Sequence, residues 1–334
     1  FCMNILNFSP AHTIYTVRPS PHKRGELHRQ QAMTSLPERS STCHSKIPDF
    51  LVGPIGQPMP AVGLGTASHP FVEEEVRASV LTALELGYRH IDTAALYASE
   101  RVVGEAMSEA VRCGIVASRE ELFVTSKVWC TQCHPELVLP SLKKSLQNLQ
   151  MEYVDLYLIH WPMAVKPSKP HFPMKREDIV PMDLSGVWKA MEECHRLGLA
   201  KMIGVSNFTT KKLQELLSIA NMPPAVNQVC QRIPIMNPVR QSDVLEEIAR
   251  ARGKSVAQIS LRWIYEQGAS MVVKSLNRER LKENIEIFDW ELSDENRLKI
   301  GRQIPQRKLI TVQNLLCPEG ISSVDISDVD VLEI

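Results

Sequence analysis

Short apolar runs alternate with longer amphipathic stretches from residue 47 onward. The runs are almost continuously apolar, which is typical of parallel strands covered on both faces. Between them, apolar residues recur at helical spacing, as Leu142, Leu146 and Leu149 do. The alternation predicts seven strands, at Ala61–Gly65, Tyr88–Asp92, Leu122–Lys127, Val154–His160, Lys201–Ser206, Ala225–Val229 and Met271–Lys274.

Alternating strands and helices indicate a parallel α/β sheet with right-handed crossovers, either a doubly wound open sheet or a (β/α)8 barrel. An open dinucleotide-binding sheet normally carries Gly-x-Gly-x-x-Gly after its first strand. The first strand here ends in GLGTAS, which lacks the third glycine. The sequence therefore favours a TIM-type barrel, preceded by a short hairpin over residues 49–62 and carrying a polar insertion at Pro162–Asp183.

One part of the pattern is too short for a complete barrel. Only residues 230–241 separate the sixth strand from a helix that begins at Ser242. An average unit of a barrel of about 250 residues takes roughly 30 residues. We therefore predict that one helix and the seventh strand are missing. The sixth and last strands would then have unpaired edges or be forced together in a distorted register.

The two ends of the chain differ from the barrel, which we place at residues 46–312. Residues 1–45 are basic, poor in acid and without periodicity, so we expect a disordered or untranslated-like extension. An organelle transit peptide is the alternative interpretation. Residues 313–334 are expected to form a C-terminal tail.

Charge and cysteine usage narrow the class of protein. The formal net charge is zero, which argues against nucleic acid or an anionic membrane surface as partner. No apolar stretch approaches the roughly 20 residues of a transmembrane helix. The eight cysteines are spread thinly, as in a protein of a reducing compartment. We expect a cytoplasmic monomer, or a plastid protein if the N-terminal extension is real.

Several polar residues lie where predicted strands end, which is where barrels carry their catalytic groups. Asp92, Lys127 and His160 end three of the strands, and Tyr97 follows Asp92 by five residues. Each alone has an ordinary structural explanation, such as a helix cap or a satisfied core histidine. Together they would bury four costly polar groups near one another, so chemistry is the better explanation.

A second candidate lies just after Lys127, in the string Cys130-Thr131-Gln132-Cys133-His134. This string matches a haem-attachment motif, and it also has the residue types of zinc and redox sites. Haem attachment requires export, for which the sequence has no signal. A zinc site needs four ligands, and no second pair has suitable spacing. We therefore predict no metal and assign the chemistry to Lys127.

Six motifs resemble, in order and in type, those of the aldo-keto reductase family, and the insertion is most similar to its plant branch. The motifs are GYRHIDTAALYASERVVGEAM, FVTSKVW, VDLYLIHWP, KMIGVSNF, AVNQ and VVKSLNRERLKENIEIFDWEL. The resemblance implies a monomeric (β/α)8 barrel that binds NADPH and reduces the carbonyl group of a small molecule to an alcohol. It also implies a catalytic tetrad of Asp92, Tyr97, Lys127 and His160.

The chemistry of these residue types agrees with that implication. Carbonyl reduction needs a hydride, which the cofactor would supply, and a proton, which Tyr97 would donate. A free phenol has a pKa near 10, and a neighbouring ammonium such as Lys127 would lower it. Asp92 would keep Lys127 charged, and His160 would hydrogen-bond the substrate carbonyl. A Schiff-base aldolase is disfavoured, because a protonated Lys127 is not nucleophilic.

The remaining motif positions predict the cofactor and substrate contacts. Ser206, Asn207 and Gln228 are short polar groups suited to a carboxamide, and a phosphate site is common after the last strand of such barrels. Trp129, His160 and Trp161 would contact a hydrophobic carbonyl substrate. The full set of expected cofactor contacts is Gly65, Thr66, Asp92, Ser206, Asn207, Gln228, Lys274, Ser275, Arg280, Glu283 and Asn284.

The resemblance also implies which parts of a family member's barrel are absent from residues 230–241. Members of the family carry there a strand and a loop whose aromatic residue stacks on the nicotinamide and whose backbone holds the pyrophosphate. Neither motif occurs in residues 230–241. We therefore expect this chain to bind NADPH weakly. A cofactor-binding or inactive splice or gene-model variant is the alternative to a working reductase.

Overall fold

The computed structural model describes residues 2–7, 47–170, 174–232, 243–303 and 307–308. In this part of the chain the strands are β1 (Cys2–Asn7), β2 (Asp49–Val52), β3 (Gln57–Pro60), β4 (Val62–Gly65), β5 (His90–Asp92), β6 (Phe123–Val128), β7 (Val154–Ile159), β8 (Ala164–Val165), β9 (Ile179–Val180), β10 (Ala200–Ser206), β11 (Val226–Arg232), β12 (Ser270–Val273) and β13 (Arg307–Lys308). The α-helices are α1 (Glu73–Glu85), α2 (Glu100–Arg112), α3 (Pro135–Leu149), α4 (Leu184–Arg196), α5 (Thr210–Ile219), α6 (Asp243–Arg252), α7 (Val256–Glu266), α8 (Arg278–Ile285) and α9 (Asp294–Gln303).

Seven strands form a parallel sheet in the order β12, β4, β5, β6, β7, β10, β11. They are the seven strands that the hydrophobic pattern predicts, with ends that differ by three residues or fewer. Helices follow the strands in the alternation of a TIM-type barrel, so the predicted fold class is confirmed. None of the helices in the described ranges is long and apolar enough to cross a membrane.

The place of the missing strand is taken by the other end of the chain. Strand β1 pairs antiparallel with β11 along its whole length, and Met3–Ile5 also pair with β12. The expectation of unpaired or forced-together edges is therefore wrong for the described residues. Residues 2–7 of the expected disordered extension form a strand. Residues 8–46 and the predicted tail at 313–334 lie outside the described part of the chain.

The predicted hairpin is also present, as β2 and β3, and it lies at the amino end of the barrel. Val52 and Met59 of the hairpin are buried against barrel residues that include Phe123, Leu156 and Met202. Burial of this apolar surface closes one end of the barrel. The hairpin does not cover the opposite end, where the parallel strands finish, and a functional site can lie there.

Candidate active site

The polar residues predicted at the strand ends converge in the structure. Asp92 ends β5, Lys127 is the penultimate residue of β6, and His160 directly follows β7. These three strands are parallel neighbours, so their carboxyl ends lie side by side. Tyr97 ends a short 3-10 turn after β5 and is half-buried beside them. The structure therefore brings all four residues together at one end of the barrel.

Lys127 and Asp92 form a fully buried ion pair. The Lys127 Nζ atom donates to Asp92 Oδ1 at 2.6 Å and to the carbonyl oxygen of Thr93 at 2.9 Å. The two side chains are 0% and 2% exposed, so a loss of either charge would leave the other one buried and unpaired. The second carboxylate oxygen of Asp92 accepts from Gln228 Nε2 at 2.9 Å. These contacts fix the position of the lysine ammonium.

Tyr97 lies between this ion pair and His160. The Lys127 Nζ atom is 5.0 Å from the centre of the Tyr97 ring, and the Tyr97 hydroxyl is 3.4 Å from His160 Nε2. Burial, reinforced by the charge of Lys127, lowers the pKa of His160 well below its usual value. His160 is therefore a neutral imidazole near pH 7, which can donate one hydrogen bond to a carbonyl oxygen.

Two tryptophans predicted to contact the substrate lie next to His160. The Trp129 ring is perpendicular to the imidazole, with ring centres 5.1 Å apart. Both Trp129 and Trp161 are buried in an apolar cluster with Met163 and Met174, which belong to the insertion after β7. The insertion thus packs against the catalytic end of the barrel and gives it apolar walls.

The residues expected to hold a nicotinamide form one hydrogen-bonded group. Ser206 Oγ donates to the carbonyl oxygen of Gln228 at 2.8 Å, and Asn207 Nδ2 donates to the carbonyl oxygen of His160 at 3.1 Å. The buried Gln228 Oε1 atom has no hydrogen-bond partner among the described residues. An unpaired buried acceptor is costly, and the amino group of a carboxamide would satisfy it. The residues present therefore fit a nicotinamide.

The expected phosphate contacts lie around the ends of β4 and β12. Lys274 and Ser275 follow β12, and Lys274 lines a hollow with Gly65 and Thr66 at the end of β4. Burial lowers the pKa of Lys274, against the opposing effect of Glu75. A half-buried cation that is disfavoured by desolvation would be stabilised by a bound anion.

Helix α8 supplies the other predicted contacts at this end. Arg280 lies in its first turn and is exposed, and Glu283 and Asn284 follow in its last turns. Arg278, at the start of the same helix, is instead bound to Glu85 of α1, at 2.6 Å between its Nη1 atom and the carboxylate. Arg280 is therefore the arginine of this helix that is better placed for a phosphate.

The cysteine string after Lys127 is part of the packed interior of the protein. Cys130 and Cys133 are buried and free, and burial raises the pKa of both thiols, that of Cys133 to about 12. His134 forms a 2.8 Å hydrogen bond with the carbonyl oxygen of Val165. Within the described ranges, no three His, Cys, Asp or Glu residues are grouped so that they could hold a metal ion.

Comparison with known sequences identifies the family. The family model described as "Aldo/keto reductase family" matches residues 61–243 and 236–301, which together cover most of the barrel. The chain belongs to the aldo/keto reductase family. The two matched segments meet at residues 236–243, where the sequence predicts a missing unit. This aldo-keto reductase is an NADP-dependent oxidoreductase that acts on carbonyl groups.

Similar proteins come from plants and animals. Deoxymugineic acid synthase 1 from Zea mays is 52% identical over 281 residues, which cover 75% of this chain and 89% of that protein. The NADPH-dependent codeinone reductase 1-4 from Papaver somniferum is 49% identical and covers 78% and 91%. The crystal structure of an aldo-keto reductase from Bombyx mori in complex with NADP has a TM-score of 0.69 at 33% identity and covers 77% and 92%.

Proposed function

We propose that Tyr97 donates the proton in carbonyl reduction, with Lys127, Asp92 and His160 as its partners. The observation that carries the proposal is the buried Lys127–Asp92 pair, which lies beside the Tyr97 ring and close to a neutral His160. When bound, NADPH supplies the hydride to the carbonyl carbon. The Tyr97 hydroxyl gives its proton to the carbonyl oxygen and Lys127 stabilises the phenolate that forms. His160 donates a hydrogen bond that orients the carbonyl.

The cofactor contacts divide between its two ends. Ser206, Asn207 and Gln228 would hold the carboxamide of the nicotinamide, because they combine fixed polar groups with the unpaired acceptor Gln228 Oε1. Asp92 contributes through its bond to Gln228.

The other predicted contacts serve the phosphates and the adenine. Gly65 and Thr66 line the hollow shared with Lys274, and Ser275 and Arg280 would complete the contacts to the 2′-phosphate. Glu283 and Asn284, further along α8, would contact the adenine.

A neutral, hydrophobic aldehyde or ketone fits the walls of this site best. Trp129, Trp161, Met163 and Met174 form a buried apolar cluster beside His160, while Lys166 of the insertion is already bound to Asp178. The similar plant proteins point to a role in specialised metabolism. A panel of aromatic, aliphatic and carboxylated carbonyl compounds, followed by loss of NADPH absorbance, tests the proposal. Turnover of carboxylated compounds alone would refute the apolar preference, and no turnover of any compound would favour a cofactor-binding protein.

We further propose a monomer that works in the cytoplasm. Zero net charge and thinly spread cysteines support it, and Cys113, Cys130, Cys133 and Cys194 are free. Sedimentation of the purified chain tests the monomer, and imaging of the tagged full sequence tests the compartment against the plastid alternative.

Replacing Lys127 by methionine should slow carbonyl reduction by about 10²–10³-fold, because a preorganised charge next to the reacting group is lost. The basic limb of the pH–rate profile should move to higher pH, because a nearby ammonium favours the phenolate. Initial rates across pH with saturating NADPH measure both effects. An unchanged rate and pH profile would contradict the role given to Lys127.

Replacing both Lys274 and Arg280 by alanine should weaken NADPH far more than NADH. A hydrogen bond to a charged group contributes about 1.5–3 kcal/mol, so two of them amount to about 100-fold or more in affinity. Fluorescence titration with each cofactor measures the difference. Arg278→Ala is the matched control, because Arg278 is held by Glu85 and should not discriminate between the cofactors. Equal losses for NADPH and NADH in the double variant would show that these cations do not contact the 2′-phosphate.

A further inference from the structure

A buried carboxylate lies just outside the four-residue cluster. Glu100 is the first residue of α2, three residues after Tyr97, and is 3% exposed. Its Oε1 atom accepts a hydrogen bond from Ser126 Oγ at 2.8 Å, and its Oε2 atom accepts one from Asn148 Nδ2 at 3.2 Å. A buried carboxylate is costly without such donors, and the first turn of a helix also favours its charge. The two hydrogen bonds therefore fix the position of the Glu100 carboxylate.

These contacts attach the segment that carries Tyr97 to β6 at both of its ends. Lys127 Nζ donates to the carbonyl oxygen of Thr93, where the segment begins, and Ser126 donates to Glu100, where it ends. Successive side chains of a strand point to opposite faces, so β6 uses its inner face for one contact and its outer face for the other. The position of Tyr97 relative to Lys127 thus depends on both contacts.

The turn between the two contacts is held only in part by burial, through Leu96, which packs against the Trp129 cluster. Ala95–Tyr97 form a half-buried 3-10 turn, and the exposed Ala98 has a φ of 56°. Left-handed backbone is disfavoured for an alanine, so the flanking residues must impose it. Ser99, which directly follows Ala98, helps to fix the turn, since its buried hydroxyl lies 3.1 Å from the Thr66 hydroxyl.

Close packing of α2 against the end of α3 brings Asn148 within reach of Glu100. Gly104 lies one turn after Glu100 on the same face of α2. A Cβ atom at Gly104 would collide with the carbonyl oxygen of Leu149, so the absence of a side chain allows the approach. The packing of α2 against α3 therefore makes the hydrogen bond between Asn148 and Glu100 possible.

We propose that Glu100 is a positioning residue for carbonyl reduction, which sets the place of the Tyr97 hydroxyl by binding the end of its turn to Ser126 of β6. The inference rests on the proposed role of Tyr97 as proton donor. A displacement of a reacting group by about 1 Å can cost about 10²-fold in rate, even when the changed residue does not touch the substrate. Glu100 acts through Tyr97 and does not itself take part in the proton transfer.

The test compares Glu100→Ala with Glu100→Gln in the full chain. Glu100→Ala should lower kcat by about 10-fold or more, within the range known for such displacements, while KM and the NADPH dissociation constant change less than about twofold. Glu100→Gln should restore most of the rate, because its amide can donate to Ser126 Oγ and accept from Asn148. Glu105→Ala is the matched control, since Glu105 of the same helix forms ion pairs with Arg101 and with Arg77 of α1. A kcat of Glu100→Ala within twofold of the unmodified chain would overturn the inference.

A double variant separates positioning from general loss of structure. In a Tyr97→Phe background, Glu100→Ala should cause no further fall in kcat, since residues that act through one group are not additive. The same fold-loss in both backgrounds would overturn the inference. Ser126→Ala provides the same comparison if Glu100→Ala does not fold, with a smaller expected loss. If Tyr97→Phe itself keeps full activity, the proposed function fails first, and this result is distinct from a normal rate in Glu100→Ala alone.

Discussion

Replacing Tyr97 by phenylalanine is expected to lower kcat for carbonyl reduction by about 10²–10⁴-fold, the range that a positioned general acid contributes. The change removes one hydroxyl group and keeps the ring that lies 5.0 Å from Lys127 Nζ. The fold and the Lys127–Asp92 pair should therefore remain. Steady-state oxidation of NADPH with the best substrate of the panel measures the loss.

Binding of NADPH should be nearly unchanged in this variant, because the proposed cofactor contacts lie on other residues. Tyr153→Phe is the matched control. Tyr153 precedes β7 at the opposite end of the barrel, where its ring lies under Arg119 and Lys201. The control should keep full activity. Comparable rates for Tyr97→Phe and the unmodified chain would mean that the proton comes from another group.

Removing residues 2–7 should destabilise the barrel strongly, because β1 pairs with both β11 and β12. Each backbone hydrogen bond contributes about 1 kcal/mol net, so the loss of a strand paired on both edges is expected to reach several kcal/mol. For a chain of this size each kcal/mol corresponds to about 2–4 °C in Tm. A thermal melt followed by circular dichroism should show a fall of about 10 °C.

Two further variants check that loss of strand pairing causes the fall in Tm. Ile5→Pro removes a backbone donor from the middle of β1 and should reproduce most of the loss. A deletion of residues 20–25 removes the same length of chain and leaves β1 in place, so it controls for the loss of six residues as such. Unchanged melting after removal of residues 2–7 would show that β1 does not support the barrel.

Closure by β1 does not restore what the missing unit supplies to the cofactor. Because β1 is antiparallel, Cys2 lies beside Gln231 at the catalytic end and Asn7 lies beside Val226 at the other end. Asn7 therefore lies at the end of the barrel away from the proposed nicotinamide contacts. We still expect weak NADPH binding, with only a small thermal shift on adding the cofactor. A strong shift would contradict this expectation.

The strands and the four clustered residues could be predicted from sequence because both follow from local rules. Continuous apolar runs identify parallel strands, and parallel strands bring their last residues to one end of the sheet. Asp92, Lys127 and His160 needed no further information to be placed together. The short segment at residues 230–241 could likewise be identified by its length alone.

Other features depend on contacts between distant parts of the chain and were missed. Nothing in Cys2–Asn7 indicates that its partners are strands more than 200 residues away. Glu100 looks like an ordinary acidic residue in a first helical turn, and its burial depends on Ser126 and Asn148. An acidic residue that soon follows a candidate phenol is the only signal that the sequence offers for it.

The position of β1 also has a consequence for how the molecule folds. In an ordinary barrel every pairing except the closing one joins strands that are close in sequence, whereas Met3 pairs with both Cys230 and Val272. Contacts of such large sequence separation slow folding, because the entropy of closing the loop is lost before the pairing is gained. During synthesis β1 leaves the ribosome long before β11 and β12 do. The edges of β11 and β12 are unpaired until β1 joins them and can bind another strand, so we expect exchange of β1 between two molecules to be a route to misassembly.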